Sequence, residues 1–312
     1  MLRAEENFLL LLDKLESFRY NIPMSTTLSL KNKETRQDDI QAFVNTRMEI
    51  LSEKARSQET VDWWKSILKT ASTFYRYSFR NLLLIQAQKP NASYVAGAKD
   101  WMNKKGRIVK AGESAIWILA PLLFKEKDKT TGEEKSVMRG FRSVPVFDVS
   151  QTSPIEGKES FQDPNEKFRV SGDGDELLAR LEAFVVSKGW TLTYCDTGSP
   201  RGVSTGGAIK VRESLNSAER AKVLAHEIAH ELLHWKDGVL IQEHARSVKE
   251  VEAESVAYAV CGAFGIESDS EFYIAAWQNS DAVETAKTIK ESSKRIFDAT
   301  KEILSFSLET EN

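Results

Sequence analysis

The sequence predicts an α+β protein in two parts, and three observations carry that prediction. Helix-like segments followed by a strand pair fill the first half of the chain. A stretch of Ser, Gly, Pro and charge from Ser150 to Asp175 then reads as a linker. Beyond it a second series begins, made of helix, strand, Gly-rich turn, strand and closing helices, with no internal repeat. The expected divisions are a helix and linker over 1–37, an α+β domain over 38–150, a linker over 151–174 and a second domain over 175–308.

Each element has its own reason. Residues 4–18 place Phe8, Leu9, Leu12 and Leu15 on one helical side, and the polar stretch from Ser25 to Asp39 lacks periodicity. Met24, followed by Ser-Thr-Thr, offers an alternative start residue. Residues 40–57 and 60–71 read as helices, and Ser78 to Gln88 as an apolar helix that stops before Pro90. Ala115 to Phe124 and Ser136 to Val149 are rich in strand formers around a turn at Lys127 to Lys135, which predicts a β-hairpin with a solvated tip. In the second part we expect a helix from Glu176 to Lys188, strands over Thr191 to Cys195 and Ala208 to Arg212, a turn around Gly202 to Gly207, and helices over 217–236, 247–264, 271–278 and 281–305.

Composition narrows the class. With 312 residues, 41% of them hydrophobic, the chain can bury a sizeable core and is long enough for about two domains. Two cysteines, Cys195 and Cys261, exclude a disulfide scaffold and fit a reducing, cytoplasmic setting. No apolar run approaches the roughly 18 residues that span a bilayer, so no membrane partner is expected.

The net charge of −3 hides an asymmetry: between Thr60 and Lys125 eleven Lys and Arg face three carboxylates, leaving that block at +8 and the rest at −11. Clustered cations gain affinity for phosphates by releasing condensed counterions. The same block interleaves Trp63, Trp64, Phe74, Tyr75, Tyr77, Phe79, Trp101 and Trp117, and unpaired bases stack on such rings. Buried packing is the commonest fate of Trp and Phe. The residues that best fit a single-stranded DNA surface are therefore Tyr75, Arg76, Tyr77 and Arg80, where cation and ring alternate within two helical turns, with Lys104, Lys105, Arg107 and Lys110 completing the basic set.

The segment Val223-Leu-Ala-His-Glu-Ile-Ala-His-Glu-Leu contains His-Glu-x-x-His in a helix-forming stretch opened by Asn216 or Ser217. One helical turn separates His226 from His230, so both imidazoles can reach one ion, while Glu227 is placed as general base toward a metal-bound water. A catalytic Zn2+ takes three protein ligands, and Glu250 and Glu254 share a face of the next helical stretch as third ligand and ligand-orienting carboxylate. Glu252 points about 160° away from that face and reads as a surface or partner carboxylate. His234, one further turn on, is an alternative ligand but is expected to line the site or face solvent, and His244 is expected to be a plain loop histidine, with polarising a substrate carbonyl or stabilising an oxyanion as its functional alternative. The same His, His, Glu set also accepts other divalent ions.

Tyr77-Ser-Phe-Arg-Asn-Leu-Leu-Leu-Ile, Val95-Ala-Gly, Trp101, Gly106-Arg-Ile-Val-Lys-Ala-Gly-Glu-Ser-Ala-Ile, Ala120-Pro and Val144-Pro-Val-Phe-Asp-Val-Ser-Gln-Thr resemble the N-terminal domain of ArdC-type antirestriction proteins. The C-terminal half resembles the zincin-like metallopeptidase domain that accompanies it, related to the ImmA/IrrE group. The resemblance spans about residues 38–305. It implies single-stranded DNA binding, a zinc peptidase fold, an origin on plasmids or phages, and protection of incoming DNA from host nucleases. In the gluzincin pattern it implies, Glu250 is the third ligand and Glu254 the acidic residue four positions on, while Glu252 would fit a shifted alignment. Two functions remain open at this stage: a zinc peptidase acting on a protein substrate with DNA as tether, or a DNA-binding protection factor whose metal site is structural or inactive.

Overall fold

A computed structural model describes residues 28, 30, 32, 34–53, 57–127, 134–159, 161–163, 174–242, 245–267 and 282–309. The helix expected over 4–18, Met24, the hairpin tip, His244 and the helix expected over 271–278 lie outside these residues.

The chain is α+β, as the sequence predicts. Helix α1 (Arg36–Glu53) starts earlier than expected, inside the stretch read as linker; Asp38 and Asp39 in its first turn favour the positive helix N-terminus. Helix α2 (Gln58–Phe74) is opened by Ser57, whose side chain accepts from Thr60 N at 3.2 Å. Helix α3 (Phe79–Gln88) stops just before Pro90, which cannot donate to a further turn. A short strand β1 (Val95–Ala96), helix α4 (Ala98–Lys104) and strand β2 (Arg107–Val109) follow.

The expected hairpin is present as β3 (Ile116–Lys127) and β4 (Glu134–Asp148), with a register shift between Pro121 and Leu123. It forms an antiparallel sheet of order β1-β4-β3. Where β4 ends, Asp148 turns the chain. Its carboxylate accepts from Ser93 N at 2.8 Å, Tyr94 N at 3.1 Å and Ser150 N at 3.0 Å, while Asp148 N donates to Gln151 Oε1 at 2.9 Å. The next residues, read from sequence as linker, instead form strand β5 (Thr152–Pro154), paired antiparallel with β2. Three residues are too few to show a periodic pattern, so only the pairing reveals this strand.

Helix α5 (Asp175–Ser187) leads into β6 (Thr191–Cys195), β7 (Gly202–Ser204) and β8 (Ala208–Arg212), in the order β6-β8-β7 with β6 and β8 parallel and β7 antiparallel at the edge. The stretch read as a Gly-rich turn thus hides a strand. Gly202 belongs to β7 because the strand runs against the following helix: a Cβ there would meet Val223 Cγ1 at 2.5 Å. Helix α6 (Ser217–His234), the short pair β9 (Trp235–Lys236) and β10 (Val239–Leu240), helix α7 (Arg246–Ala263) and helix α8 (Ala282–Glu309) complete the chain. No described helix is long and apolar enough to cross a membrane.

One hydrophobic core runs through residues on both sides of 151–174. Helix α2 packs on α7, and α8 packs on α7, α1 and α5. Trp64, fully buried, donates from Nε1 to Ser255 Oγ at 3.1 Å, and the rings of Phe79 and Phe297 stack at 5.0 Å beside it. Trp64 and Phe79, counted among the aromatics of the basic block, thus join the two halves, and Trp63 is buried in the same core.

Candidate metal centre

Helix α6 begins at a full capping box: Asn216 Oδ1 accepts from Glu219 N at 3.0 Å, and Glu219 Oε2 accepts from Asn216 N at 3.2 Å. Ala221, Leu224, Ala225, Ile228 and Ala229 are buried and fix the rotation of the helix. That rotation leaves His226, Glu227 and His230 along a cleft of about 800 Å³ whose other walls include β7, Trp235 and Leu240. Glu250 and Glu254 reach the same cleft from α7, which packs against α6.

Among the described residues His226, His230 and Glu250 form one group of three donor atoms close enough to share an ion. His226 Nε2 and His230 Nε2 are 3.0 Å apart, and Glu250 Oε2 lies 3.5 Å from the first and 3.7 Å from the second. Tetrahedral coordination with bonds of about 2.0–2.2 Å spaces neighbouring ligands by about 3.3–3.6 Å, within a few tenths of an ångström of these distances. The triangle therefore fits a small dication. Glu254 Oε2 accepts from His226 Nδ1 at 3.1 Å, and Lys222 Nζ lies 3.6 Å from its other oxygen.

The electrostatics favour positive charge at the same point. Burial disfavours a charged His226, yet hydrogen bonds to Glu250 and Glu254 and the charge of Glu227 hold its pKa up at about 9. The close imidazoles of His226 and His230 pull Glu250 well below the usual carboxylate range. Two imidazoles among three carboxylates make a centre that a dication would satisfy. Glu227 itself is only 7% exposed; burial, with Glu250 nearby, raises its pKa against the opposing charges of His226 and His230 and a hydrogen bond with Ser204. Gly202 leaves the room it occupies, since a Cβ there would lie 2.7 Å from Glu227 Oε1.

Three features of this centre escaped the sequence reading. Buried Glu231 accepts from Thr205 N at 3.0 Å and Gly206 N at 2.9 Å on one oxygen and from Gly207 N at 2.7 Å on the other, tying the end of β7 to α6. The signal was the Gly206-Gly207 pair, which permits a positive-φ turn whose part-buried N–H groups call for an acceptor. Glu252 is a correction: instead of facing the surface it is fully buried, and hydrogen bonds with Arg295, His234 and Ser292 outweigh burial to hold it at about 2. Its direction on α7 follows helix geometry, but α8 covers that face. His234 is the second correction. It neither lines the cleft nor meets solvent, being 1% exposed with a pKa lowered chiefly by burial.

The basic block is distributed differently. Tyr75 is 6% exposed and sits in the core, with Arg76 Nε donating to its hydroxyl at 3.2 Å. Tyr77 packs on the core and donates to Val95 O at 3.4 Å, whereas Arg76 is exposed and Arg80 half-buried. Lys104 is exposed beside Asp100 at 2.9 Å, and Lys110 donates to Ser150 O at 2.9 Å. Arg107 holds β5 through Thr152, from Nε to Oγ1 at 2.7 Å and from Nη2 to the carbonyl at 3.0 Å. Lys105 lies over the rings of Tyr94 at 4.5 Å and Phe161 at 4.8 Å. With Lys104, Lys158 and Phe161 it borders a polar cleft of about 580 Å³ that the sequence did not reveal.

An α+β chain with a basic block in its first half and a group of three side chains placed to share an ion in its second is the class these features define. Residues 40–149 match the family model of the N-terminal domain of anti-restriction factor ArdC, and over that region the chain is ArdC-like. Two solved structures of the antirestriction ArdC protein from the R388 plasmid are similar to it. The metal-free one shares 19% identity over 75% of this chain and 84% of that one, with a TM-score of 0.45. The Mn(II)-bound one shares 16% over 77% and 97%, with a TM-score of 0.44. No curated protein matches the chain.

Proposed function

We propose that this ArdC-like chain is an antirestriction-type protein that holds single-stranded DNA on its basic first half and cleaves a peptide bond at a metal centre in a zincin-like second half. The observation that carries the peptidase reading is the His226, His230, Glu250 triangle opening on a cleft with Glu227 beside it. Zinc is the first candidate ion for two imidazoles and a carboxylate, with Mn2+ and Co2+ as alternatives. A dication held by these three residues supplies Lewis acidity, polarising a carbonyl and making an adjacent water easier to deprotonate.

Glu227 takes the proton from the attacking water and returns it to the leaving amine, a task for which a carboxylate with a raised pKa is suited. Glu254 orients His226. Strand β7 is the edge of its sheet and lines the cleft, so its backbone groups are available to an extended peptide. On the DNA side, the cleft around Lys104 and Lys105, with the half-buried rings of Tyr94 and Phe161, is a better stacking surface than buried Tyr75.

The test is incubation of zinc-loaded protein with a proteome-derived peptide library, read by mass spectrometry, beside zinc-loaded Glu227→Gln. Cleavage by the wild type alone is expected. Absence of cleavage by both, with oligonucleotide binding intact, would leave the DNA-binding protection factor as the function.

A further inference from the structure

The three histidines of α6 fall at i, i+4 and i+8, yet only two belong to the donor triangle. Both ring nitrogens of the third are engaged elsewhere: His234 Nδ1 lies 2.9 Å from His230 Nδ1, and His234 Nε2 lies 3.0 Å from Glu252 Oε2. The other oxygen of Glu252 accepts from Ser292 Oγ at 2.5 Å and from Arg295 Nη2 at 2.5 Å and Nε at 3.2 Å. His234 and Glu252 are 1% and 0% exposed, so the middle of the chain of hydrogen bonds is closed from solvent.

We propose that His234 and Glu252 are positioning residues for the metal centre, forming a buried relay that fixes the tautomer and ring orientation of His230 and anchors it to α8. This inference rests on the metal-centre reading given above. The direction of every hydrogen bond follows from one end. Carboxylate Glu252 only accepts, so His234 Nε2 carries the hydrogen, and a neutral imidazole then has a bare Nδ1. That bare nitrogen accepts from His230 Nδ1–H, which leaves the lone pair of His230 on Nε2, the atom in the donor triangle.

The opposite tautomer of His234 would point a bare nitrogen at the Glu252 carboxylate with no water between them, and would place the hydrogen of His230 on the metal side. The relay therefore excludes the form of His230 that cannot bind an ion. His226 is held by a different device, the cleft-lining carboxylate of Glu254. Arg295 and Ser292 carry the anchor to α8, which also packs on α1, so the orientation of one ligand depends on a helix shared with the first half of the chain.

The experiment uses the full chain with Zn2+. Affinity is measured by competition with a chromophoric chelator for wild type, His234→Leu, His234→Gln and the His226→Ala/His230→Ala double variant. In parallel, two-bond 1H–15N spectra read the tautomers of the four histidines in the zinc-loaded wild type. We expect His230 protonated at Nδ1 and His234 at Nε2. His234→Leu should bind zinc about 10–100-fold more weakly, and His234→Gln, whose amide oxygen can accept the same hydrogen bond, should recover most of that loss. If His234→Leu does not fold, the wild-type tautomers and His234→Gln still decide. A His234 protonated at Nδ1, or a His234→Leu that binds as tightly as wild type while the double variant binds nothing, would overturn the relay alone. A wild type that binds no better than the double variant would overturn the metal reading and the relay with it.

Discussion

Helix α6 and the basic block from residue 60 to 125 both concentrate polar residues, and folding treats them in opposite ways. On α6 the four-residue spacing survives as geometry: His226 and His230 face one point, and Glu227 and Glu231, also one turn apart, are both buried against β7 and its turn. In the basic block, nearness in sequence does not become one surface. Tyr75 and Tyr77 turn into the core, Arg107 clamps β5, and Lys105 lies over a ring cluster at another corner. Spacing on a single regular element constrains side-chain position, whereas composition over several elements leaves position to tertiary packing.

Mutations in the two regions should therefore differ in the size of their effect and in what they disturb. The largest effect belongs to Glu227→Gln, expected to lower peptide cleavage by at least about 100-fold while zinc content stays at that of the wild type, as read by mass spectrometry of products and elemental analysis. Glu231→Ala comes next. Leaving the Thr205, Gly206 and Gly207 N–H groups without their carboxylate should cost about 3 kcal/mol in urea unfolding. Gly202→Ala forces a Cβ against Val223 and Glu227. It should destabilise by about 1–3 kcal/mol and reduce cleavage more than zinc affinity, because the displaced group is Glu227.

Smaller effects test the first half. Lys104→Glu/Lys105→Glu should weaken single-stranded oligonucleotide binding and reduce the slope of log affinity against log salt by about 0.7 for each phosphate left without its cation, whereas Tyr75→Phe should leave anisotropy titrations unchanged. Asp148 supplies a pH dependence. Burial pushes its carboxyl up, but donors from Ser150, Ser93 and Tyr94 outweigh this and hold it below its ordinary value. A depressed folded pKa means stability that is present above the unfolded value of about 4 and lost as pH falls through the folded one. Asp148→Asn should therefore be less stable than wild type at pH 7 and show a flatter decline between about pH 5 and pH 2, read by thermal unfolding.

Much of this was legible because local rules suffice. The stop before Pro90 and the helix around His226 depend on residues that neighbour one another along the chain, and the hairpin on two strand-forming runs joined by one short turn. What stayed hidden depends on distant cover. Gly202 reads as turn until α6 lies against it, Thr152 to Pro154 read as linker until β2 pairs with them, and Glu252 reads as surface until α8 brings Arg295. Tyr75 is alike: a ring beside a cation is a stacking face or a core residue according to what packs on it, and here it joins the core.

Everything proposed for the second half turns on whether His226, His230 and Glu250 hold one dication. Elemental analysis of wild type and of His226→Ala/His230→Ala, each purified without chelator, equilibrated with zinc and freed of excess ion, tests it directly. About one equivalent of zinc per chain is expected in the wild type and none in the double variant. Equal zinc in both, or none in either, would contradict it.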